Sequence, residues 1–348
     1  MKRIILKSTI ALGSALIATV AQAQGLGAAQ PYNVYVLGSA WQQGADAEGG
    51  VAVGGNLNVG DWGFTTGWNG GGKLVVGGDL NNQGHSVHPD GVFAGGNLNY
   101  AQTLTSNGGV QANGNVFIAG GQPSSVKHGG SFGYTGTETF PTSSGFSSAP
   151  VDFGATNSFL LSQSAYLGGL SGVSITDVSG TGGYVNLDAS GGGLKVFNFS
   201  ESAFENSWFI NFDNAAPDTT VLVNVAGTNV TAPNGNYLYN WVSYPDGPGA
   251  GNVLYNFHEA TNLHVDAMGG SILAPKAALD FDYGVIYGSV VVGQLGTQND
   301  PSVGQFNQRD NYGNDIKFRG RLPQIPEPGT LVLAGLGLAG LALRRRRK

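Results

Sequence analysis

A nine-residue phrase recurs four times in the first third of the chain. It runs VAVGGNLNV from Val51, LVVGGDLNN from Leu74, VFAGGNLNY from Val92 and VQANGNVFI from Val110. Apolar residues alternate with other residues in each copy, and a period of two is the period of a β-strand. Self-similarity at a spacing of about 20 residues is typical of a solenoid, in which each copy forms part of one turn.

Stacking the copies predicts an all-β fold, a right-handed parallel β-helix. Two inward columns of apolar side chains follow, the first of Val51, Leu74, Val92 and Val110, the second of Leu57, Leu80, Leu98 and Val116. Two outward columns are polar, one of Asn56, Asp79, Asn97 and Asn115, the other of Asn58, Asn81 and Asn99. Stacked amides can hydrogen-bond along a column, so a structural role is favoured over a binding row. The 59 glycines suit many close turns.

One long side helix is expected between the two groups of strands, from Asp152 to Leu170. Phe153, Phe159, Leu160, Ser164 and Leu167 lie near one face of it, at steps of three and four residues. Asp152 or Ser158 is the candidate N-cap, and Gly168 with Gly169 ends the helix. Strand patterns then return, and residues 269–295 are interpreted as two closing turns of the solenoid. Residues 296–325 are interpreted as a polar linker.

The N-terminus has the pattern of an export signal, which predicts a signal peptide over residues 1–23. Lys2, Arg3 and Lys7 precede an apolar run, and Ala21 and Ala23 supply the small residues that an export signal peptidase needs. An uncleaved anchor is the alternative. A domain is predicted over residues 24–323, followed by a separate segment over residues 324–348.

The C-terminal segment combines three elements. Pro326, Glu327 and Pro328 precede an apolar run that starts at Leu331 and ends at Leu343. A membrane stop follows, formed by Arg344, Arg345, Arg346, Arg347 and Lys348. Thirteen helical residues reach about 20 Å, short of a hydrocarbon core of about 30 Å. We expect a transient or retained single-pass helix in the inner membrane, with the rest of the chain outside the cytoplasm.

This tail resembles the PEP-CTERM sorting signal of Gram-negative bacteria. The resemblance implies processing by an exosortase-type enzyme near Pro326, Glu327 and Pro328, with a plain membrane anchor as the alternative. YNVYVLGSA from Tyr32, the run SILAPKAALDFDYGVIYGSVVVGQL and FRGRLP from Phe318 resemble the choice-of-anchor A family. The LAP segment and the late GSVVV run also resemble bacterial ice-binding-type β-helices, which carry a long helix beside the solenoid.

Charge and composition exclude several functions. Three of the 16 basic residues lie in the leader and five end the tail, which leaves a strongly acidic body. Such a body repels nucleic acid, so no nucleic-acid partner is expected. The chain has no cysteine, which excludes disulfides, thiol catalysis and cysteine-based metal sites.

No catalytic residue, metal ligand or cofactor is assigned from the sequence. His85 and His88 offer at most two ligands, fewer than a zinc site needs. The pairs Asp46 with Glu48 and Asp280 with Asp282 could hold calcium or act as glycosidase acids. Solvated carboxylates are the favoured interpretation of both pairs.

Three tryptophans are candidate carbohydrate contacts. Trp62 and Trp68 lie between the first two copies of the phrase, and Trp241 lies in YLYNWVSYPDG. Such rings can stack on sugars, or they can fill a seam in the fold. The predicted function is a structural or adhesive protein of the cell surface or extracellular matrix, with exopolysaccharide as a candidate partner. A carbohydrate-active protein and an ice-binding protein are the alternatives, although Thr103-Leu104-Thr105 is the one Thr-x-Thr found in the repeats.

Overall fold

The computed structural model describes residues 25–44, 46–60, 72–232, 249–309, 315–323 and 325. Fourteen short strands precede the long helix in the described chain. They are β1 (Tyr32–Val36), β2 (Ala40–Gln42), β3 (Gly50–Val53), β4 (Leu57–Val59), β5 (Leu74–Val76), β6 (Leu80–Asn82), β7 (Ser86–Val87), β8 (Val92–Ala94), β9 (Leu98–Ser106), β10 (Val110–Ala112), β11 (Val116–Pro123), β12 (Val126–His128), β13 (Phe132–Tyr134) and β14 (Thr142–Ser144).

Helix α1 (Phe153–Gly168) separates these strands from a second group. The second group contains β15 (Val173–Ile175), β16 (Tyr184–Asp188), β17 (Leu194–Phe199), the short helix α2 (Glu201–Glu205), β18 (Phe209–Asp213), β19 (Thr220–Val225), β20 (Asn229–Thr231), β21 (Val253–Asn256), β22 (Asn262–His264), β23 (Met268–Gly269), β24 (Ser271–Asp280), β25 (Val285–Tyr287), β26 (Val290–Leu295) and β27 (Gln305–Asn307).

The strands form a parallel β-helix, which confirms the predicted fold class. The strands lie along three lines. We call the line that contains β3 and β5 the first face, the line that contains β4 and β6 the second face, and the line of the two smaller sheets, β16–β18 and β23–β25–β27, the third face. The first face runs in the order β14, β12, β10, β8, β5, β3, β1, β26, β24, β21, β19, β17 and β15, and every neighbouring pair is parallel.

The order of the turns in space differs from their order in the sequence. Val34 of β1 pairs with Val51 on one side and with Val290 on the other. Strand β1 therefore lies in the middle of the solenoid. From there the chain builds toward β14, returns along α1 and builds back from β15. The segment from residue 269 to residue 295 does form two turns, as predicted. Those turns join the two halves of the solenoid and do not close one of its ends.

The predicted inward columns form the core. Val51, Leu74, Val92 and Val110 stack in register along the first face, and all are buried. Along the second face the stacked and buried residues are Leu57, Leu80, Leu98 and Val116. The apolar residues that the repeat places every second position thus hold successive turns together by burial.

Helix α1 covers the first face near its centre. Its Leu160 and Leu167 are buried in a second apolar cluster with outward residues of the first face, including Tyr35, Leu254 and Val291. The strand pattern alone did not predict this cluster, because it lies outside the solenoid. Asp152 caps the helix by accepting a hydrogen bond from the Ala155 N–H at 3.0 Å, as predicted.

A column of three asparagines, two buried and one half-buried, joins the helix to the solenoid. Asn256 donates to Asn224 and Asn224 donates to Asn198, each at 2.9 Å. The three amides also donate to carbonyl oxygens at the helix or just after it, namely those of Ser164, Leu167 and Leu170. The column fixes where α1 lies along the first face, since each amide bonds the helix and the next turn together.

The interpretation of residues 296–325 as a polar linker is wrong for much of that segment. Residues 305–307 form β27, and Phe306 lies fully buried in the core. Further along, Phe318 is buried in the cluster beneath α1, and the Pro323 carbonyl accepts a hydrogen bond from Gln163 at 3.0 Å. The segment is mostly polar in composition, so its pattern did not predict that Phe306 and Phe318 would be buried.

Candidate functional site

The second face presents an ordered polar surface. At its outer edge, the side-chain oxygens of one column each accept a hydrogen bond from a backbone N–H of the next turn. The acceptors are Asn56, Asp79, Asn97 and Asn115, and the distances are 2.6 to 2.9 Å. The predicted structural role is therefore confirmed, with backbone N–H groups as the main donors in place of stacked amides.

The Gly-Gly pair in the repeated phrase makes this column possible. A Cβ on Gly78 would lie 2.2 Å from Asn56 Oδ1, and a Cβ on Gly96 would lie 2.2 Å from Asp79 Oδ1. Any side chain would therefore displace the acceptor from its bond. Each GGN or GGD therefore supplies one hydrogen bond between successive turns. Its second glycine leaves room for the side-chain oxygen of the turn before.

A second polar column runs beside the first, as predicted. Asn58, Asn81 and Asn99 are in register on β4, β6 and β9 and are half-buried, and Asn81 donates to Asn58 at 3.3 Å. The same face in the other half of the solenoid carries exposed Asn262, which donates to Asn229 at 2.7 Å. Together these amides make a long surface rich in hydrogen-bonding groups.

The threonine pair does not extend into an array. Thr103 and Thr105 are exposed on β9. On one side Thr105 pairs with Val87 of β7, and on the other the pair is in register with Gly120 and Gln122 of β11. The neighbouring turns in the described chain therefore lack the threonines that a regular Thr-x-Thr surface requires.

The pair Asp46 and Glu48 lies at a seam between the two halves of the solenoid. Glu48 is buried and accepts hydrogen bonds from the backbone N–H groups of Gln308 and Arg309, at 3.1 and 3.0 Å. Burial raises the pKa of Asp46, and the charge of Glu48 adds to that effect. Glu48 therefore holds the segment after β27 in place.

The pair Asp280 and Asp282 lies on an acidic cluster around His264. The imidazole contacts Asp280 at 2.8 Å and Asp266 at 3.2 Å. Burial lowers the pKa of His264, but its hydrogen bond to Asp280 and the nearby carboxylates outweigh that effect and raise the pKa overall. The hydrogen bond to Asp280, aided by burial and by charge, raises the pKa of Asp282.

Within the described residues, ligand atoms of His264, Asp280 and Asp282 lie within 4.8 Å of one another. An open groove of about 290 Å³ runs beside the cluster, lined by Asn229, Asn262, Asp280, Thr297 and Asp300 among others. The sequence identified the two aspartates but gave no sign that His264, 16 residues earlier, would join them. Its in-register pairing with Asp280 on β24 brings them together.

The two histidines of QGHSVHP do not converge. His85 is exposed and contacts the Thr103 hydroxyl. His88 is fully buried, and the Tyr100 hydroxyl lies 2.8 Å from its Nε2. Burial lowers the pKa of His88 to about 3. The two rings lie in opposite environments and form no shared metal site in this part of the chain.

The other predicted site residues lie outside the described residues. These are Ala21 and Ala23, the candidate carbohydrate contacts Trp62, Trp68 and Trp241, the motif Pro326, Glu327 and Pro328, and the basic residues 344–348. The predicted C-terminal helix lies there as well. Among the helices that the structure describes, none is long and apolar enough to cross a membrane.

The fold is a parallel β-helix with a flanking helix and an ordered polar surface on its second face. A family model described as "Putative Ice-binding-like adhesive domain" matches residues 25–302, and the chain belongs to that family. A second model, the PEP-CTERM protein-sorting motif, matches residues 324–347 and confirms the predicted sorting signal. No curated protein and no solved structure matches the chain. The narrower assignment to choice-of-anchor A stays a prediction.

Proposed function

We propose that this protein is an adhesive component of the cell surface or extracellular matrix, and that its second face is the contact surface. The adhesive family and the sorting signal support export to the envelope. The observation that carries the proposal is the pair of polar columns, one of which includes Asn58, Asn81 and Asn99. A long row of regularly spaced amides suits many weak hydrogen bonds to a hydroxyl-rich matrix.

The test replaces the second column, Asn58, Asn81 and Asn99, because its side chains make fewer hydrogen bonds between turns than those of the first column. Cells lacking the protein are complemented with the full chain or with the triple variant Asn58→Ala, Asn81→Ala, Asn99→Ala. We expect surface attachment and matrix retention to fall several-fold while the amount of protein at the surface is unchanged. A matched control replaces three exposed glutamines elsewhere, Gln102, Gln111 and Gln122, by alanine. Equal attachment by both triple variants would contradict the proposal.

A polysaccharide-active enzyme is the second candidate, favoured by one observation. Asp280 and Asp282 combine a carboxyl of raised pKa with a close carboxylate beside a groove. Glycosidases use a close pair of carboxyl groups, one of them with a raised pKa, as acid and base or nucleophile. If the protein releases reducing ends from matrix polysaccharide, Asp280→Asn and Asp282→Asn must each abolish the release. An activity that survives both variants would remove these residues from the reaction.

Ice binding is the third candidate function. The absence of threonines in register with Thr103 and Thr105 on the neighbouring described turns disfavours it. A thermal-hysteresis measurement on the purified protein tests it directly. We expect no hysteresis, and a clear gap between melting and freezing points would overturn that expectation.

A further inference from the structure

The third face carries a small sheet with an unusual outer surface. Strands β16 and β18 pair in parallel at the β15 end of the solenoid. Their inward residues are buried in the core, namely Val185, Leu187, Ile210 and Phe212. Their outward residues form three cross-strand pairs in register: Tyr184 with Phe209, Asn186 with Asn211, and Asp188 with Asp213. An aromatic pair, an amide pair and a carboxylate pair therefore follow one another along the strands.

The aromatic end of this surface is open to solvent. Tyr184 and Trp208 retain 47% and 42% of their accessible surface. Their rings meet edge to face, with centroids 4.8 Å apart and planes at 81°. The backbone N–H of Trp208 donates to the Gly183 carbonyl at 2.6 Å, which fixes the backbone beneath the rings. The exposed parts of the two rings form an apolar area that a ligand can cover.

The polar part is held by its own hydrogen bonds. Asn211 donates to Asn186 at 3.3 Å and to Asp213 at 2.5 Å, while Asn214 donates to Asp188 at 3.4 Å. The hydrogen bond from the Ser190 N–H lowers the pKa of Asp188, so this carboxylate stays an acceptor. Acceptors and amide donors are thus set out side by side, about two strand positions from the rings.

An open pocket of about 290 Å³ adjoins the aromatic end. Its polar lining includes Asp177, Ser179, Ser202 and Asn206, and Gly183 connects it to Tyr184. No lysine or arginine is among the described residues that line the pocket. Lys195 lies outside that lining, and its charge acts on Asp188. The pocket therefore lacks the basic side chains that would favour a phosphate or carboxylate ligand.

We propose that the outward surface of β16 and β18 binds a neutral polysaccharide chain. The apolar face of a sugar ring stacks on Trp208 or Tyr184, and the hydroxyls of the next sugars bond to Asn186, Asn211 and Asp188. This site lies on a different face from the proposed adhesive columns, and it belongs to the half of the domain that contains no copy of the repeated phrase.

The test is affinity electrophoresis of the full chain, in detergent, through native gels containing hydroxyethyl cellulose, galactomannan or alginate. We expect retardation in at least one of the two neutral gels and none in alginate. Trp208→Ala and Tyr184→Ala should each weaken the interaction about ten-fold. Trp208→Phe, which keeps a ring, should retain part of it. Tyr283→Ala removes a tyrosine that is 57% exposed elsewhere and should change nothing.

The variants that test the adhesive columns should migrate like the wild type in these gels, so the two proposals can fail separately. Melting curves show which variants are folded, and Trp208→Phe preserves the test if Trp208→Ala does not fold. Absence of retardation in both neutral gels overturns the proposal, and so does retardation that the Trp208 and Tyr184 variants leave intact. If the aromatic variants instead reduce the oligomeric mass by light scattering, the surface binds a second copy and not a glycan.

Discussion

Asn256 donates a hydrogen bond to Asn224 at 2.9 Å beneath helix α1, and both side chains are buried. Each amide has two N–H groups, and each uses one along the column and the other on a helix carbonyl. The carbonyls at the C-terminal end of a helix lack partners within the helix. The column adds donors at this end of the helix and links three turns of the solenoid at the same time.

Asn224→Ala should therefore destabilise the domain strongly. It removes the acceptor for one N–H of the buried Asn256 amide and one of the two donors to the Leu167 carbonyl, at an expected cost of about 1–3 kcal/mol. The measurement is the shift in the urea midpoint. Asn262→Ala is the matched control, because Asn262 makes a similar amide bond on the exposed second face. We expect that control to lie within about 0.5 kcal/mol of wild type. Similar shifts for both would mean that the column does not hold the helix.

His88 should make the domain sensitive to mild acid. Its pKa falls from 6.5 to about 3 on burial, so between these values the unfolded chain binds a proton that the folded chain does not. Stability from this residue is complete above pH 6.5 and falls by about 1.4 kcal/mol per pH unit below it. His88→Gln keeps an acceptor for Tyr100 and cannot be protonated.

Melting temperatures measured from pH 7 to pH 4.5 check this expectation. The wild type should lose about 2 kcal/mol more than His88→Gln between pH 6.5 and pH 5. Other titrating groups are common to both proteins and cancel in the comparison. Parallel curves for the two proteins would show that His88 is accessible to protons in the folded state.

Gly96→Ala should break one hydrogen bond between successive turns, the one from the Asn97 N–H to Asp79. Its Cβ would lie 2.2 Å from Asp79 Oδ1, which forces that oxygen away from the Asn97 N–H. We expect a loss of about 1–3 kcal/mol, seen as a lower melting temperature. Gly180→Ala is the control, since a Cβ there meets nothing within 4 Å. An unchanged melting temperature for Gly96→Ala would show that the column yields without cost.

Asp152→Ala should weaken the start of helix α1. It removes the acceptor for the Ala155 N–H, and loss of an N-cap costs about 1 kcal/mol. Asp152→Asn retains a side-chain oxygen and should stay within a few tenths of a kcal/mol of wild type. Thermal unfolding of both variants measures the difference. Equal destabilisation by alanine and asparagine would point to the charge of Asp152 rather than its hydrogen bond.

The sequence predicted the features that repeat locally. Val51, Leu74 and Val92 are separated by short, similar stretches, so their alternation shows both the strands and the stacking of consecutive turns. Asn198, Asn224 and Asn256 are separated by unequal stretches without a common phrase, and their column was not predicted. The pairing of Val34 with Val290 was also missed, because nothing local to either residue specifies a partner at the far end of the domain.

That pairing sets the order in which the domain can be completed. Strand β1 lies between β3 and β26, so its second neighbour is supplied only after almost the whole domain has been made. A chain crossing a membrane from its N-terminus can stack β3, β5 and β8 early, but β1 keeps one open edge throughout the passage. Such an edge is a site for pairing with other chains. The turn that contains β26 therefore completes the sheet around β1. Until that turn has folded, one edge of β1 is accessible to a protease or a chaperone.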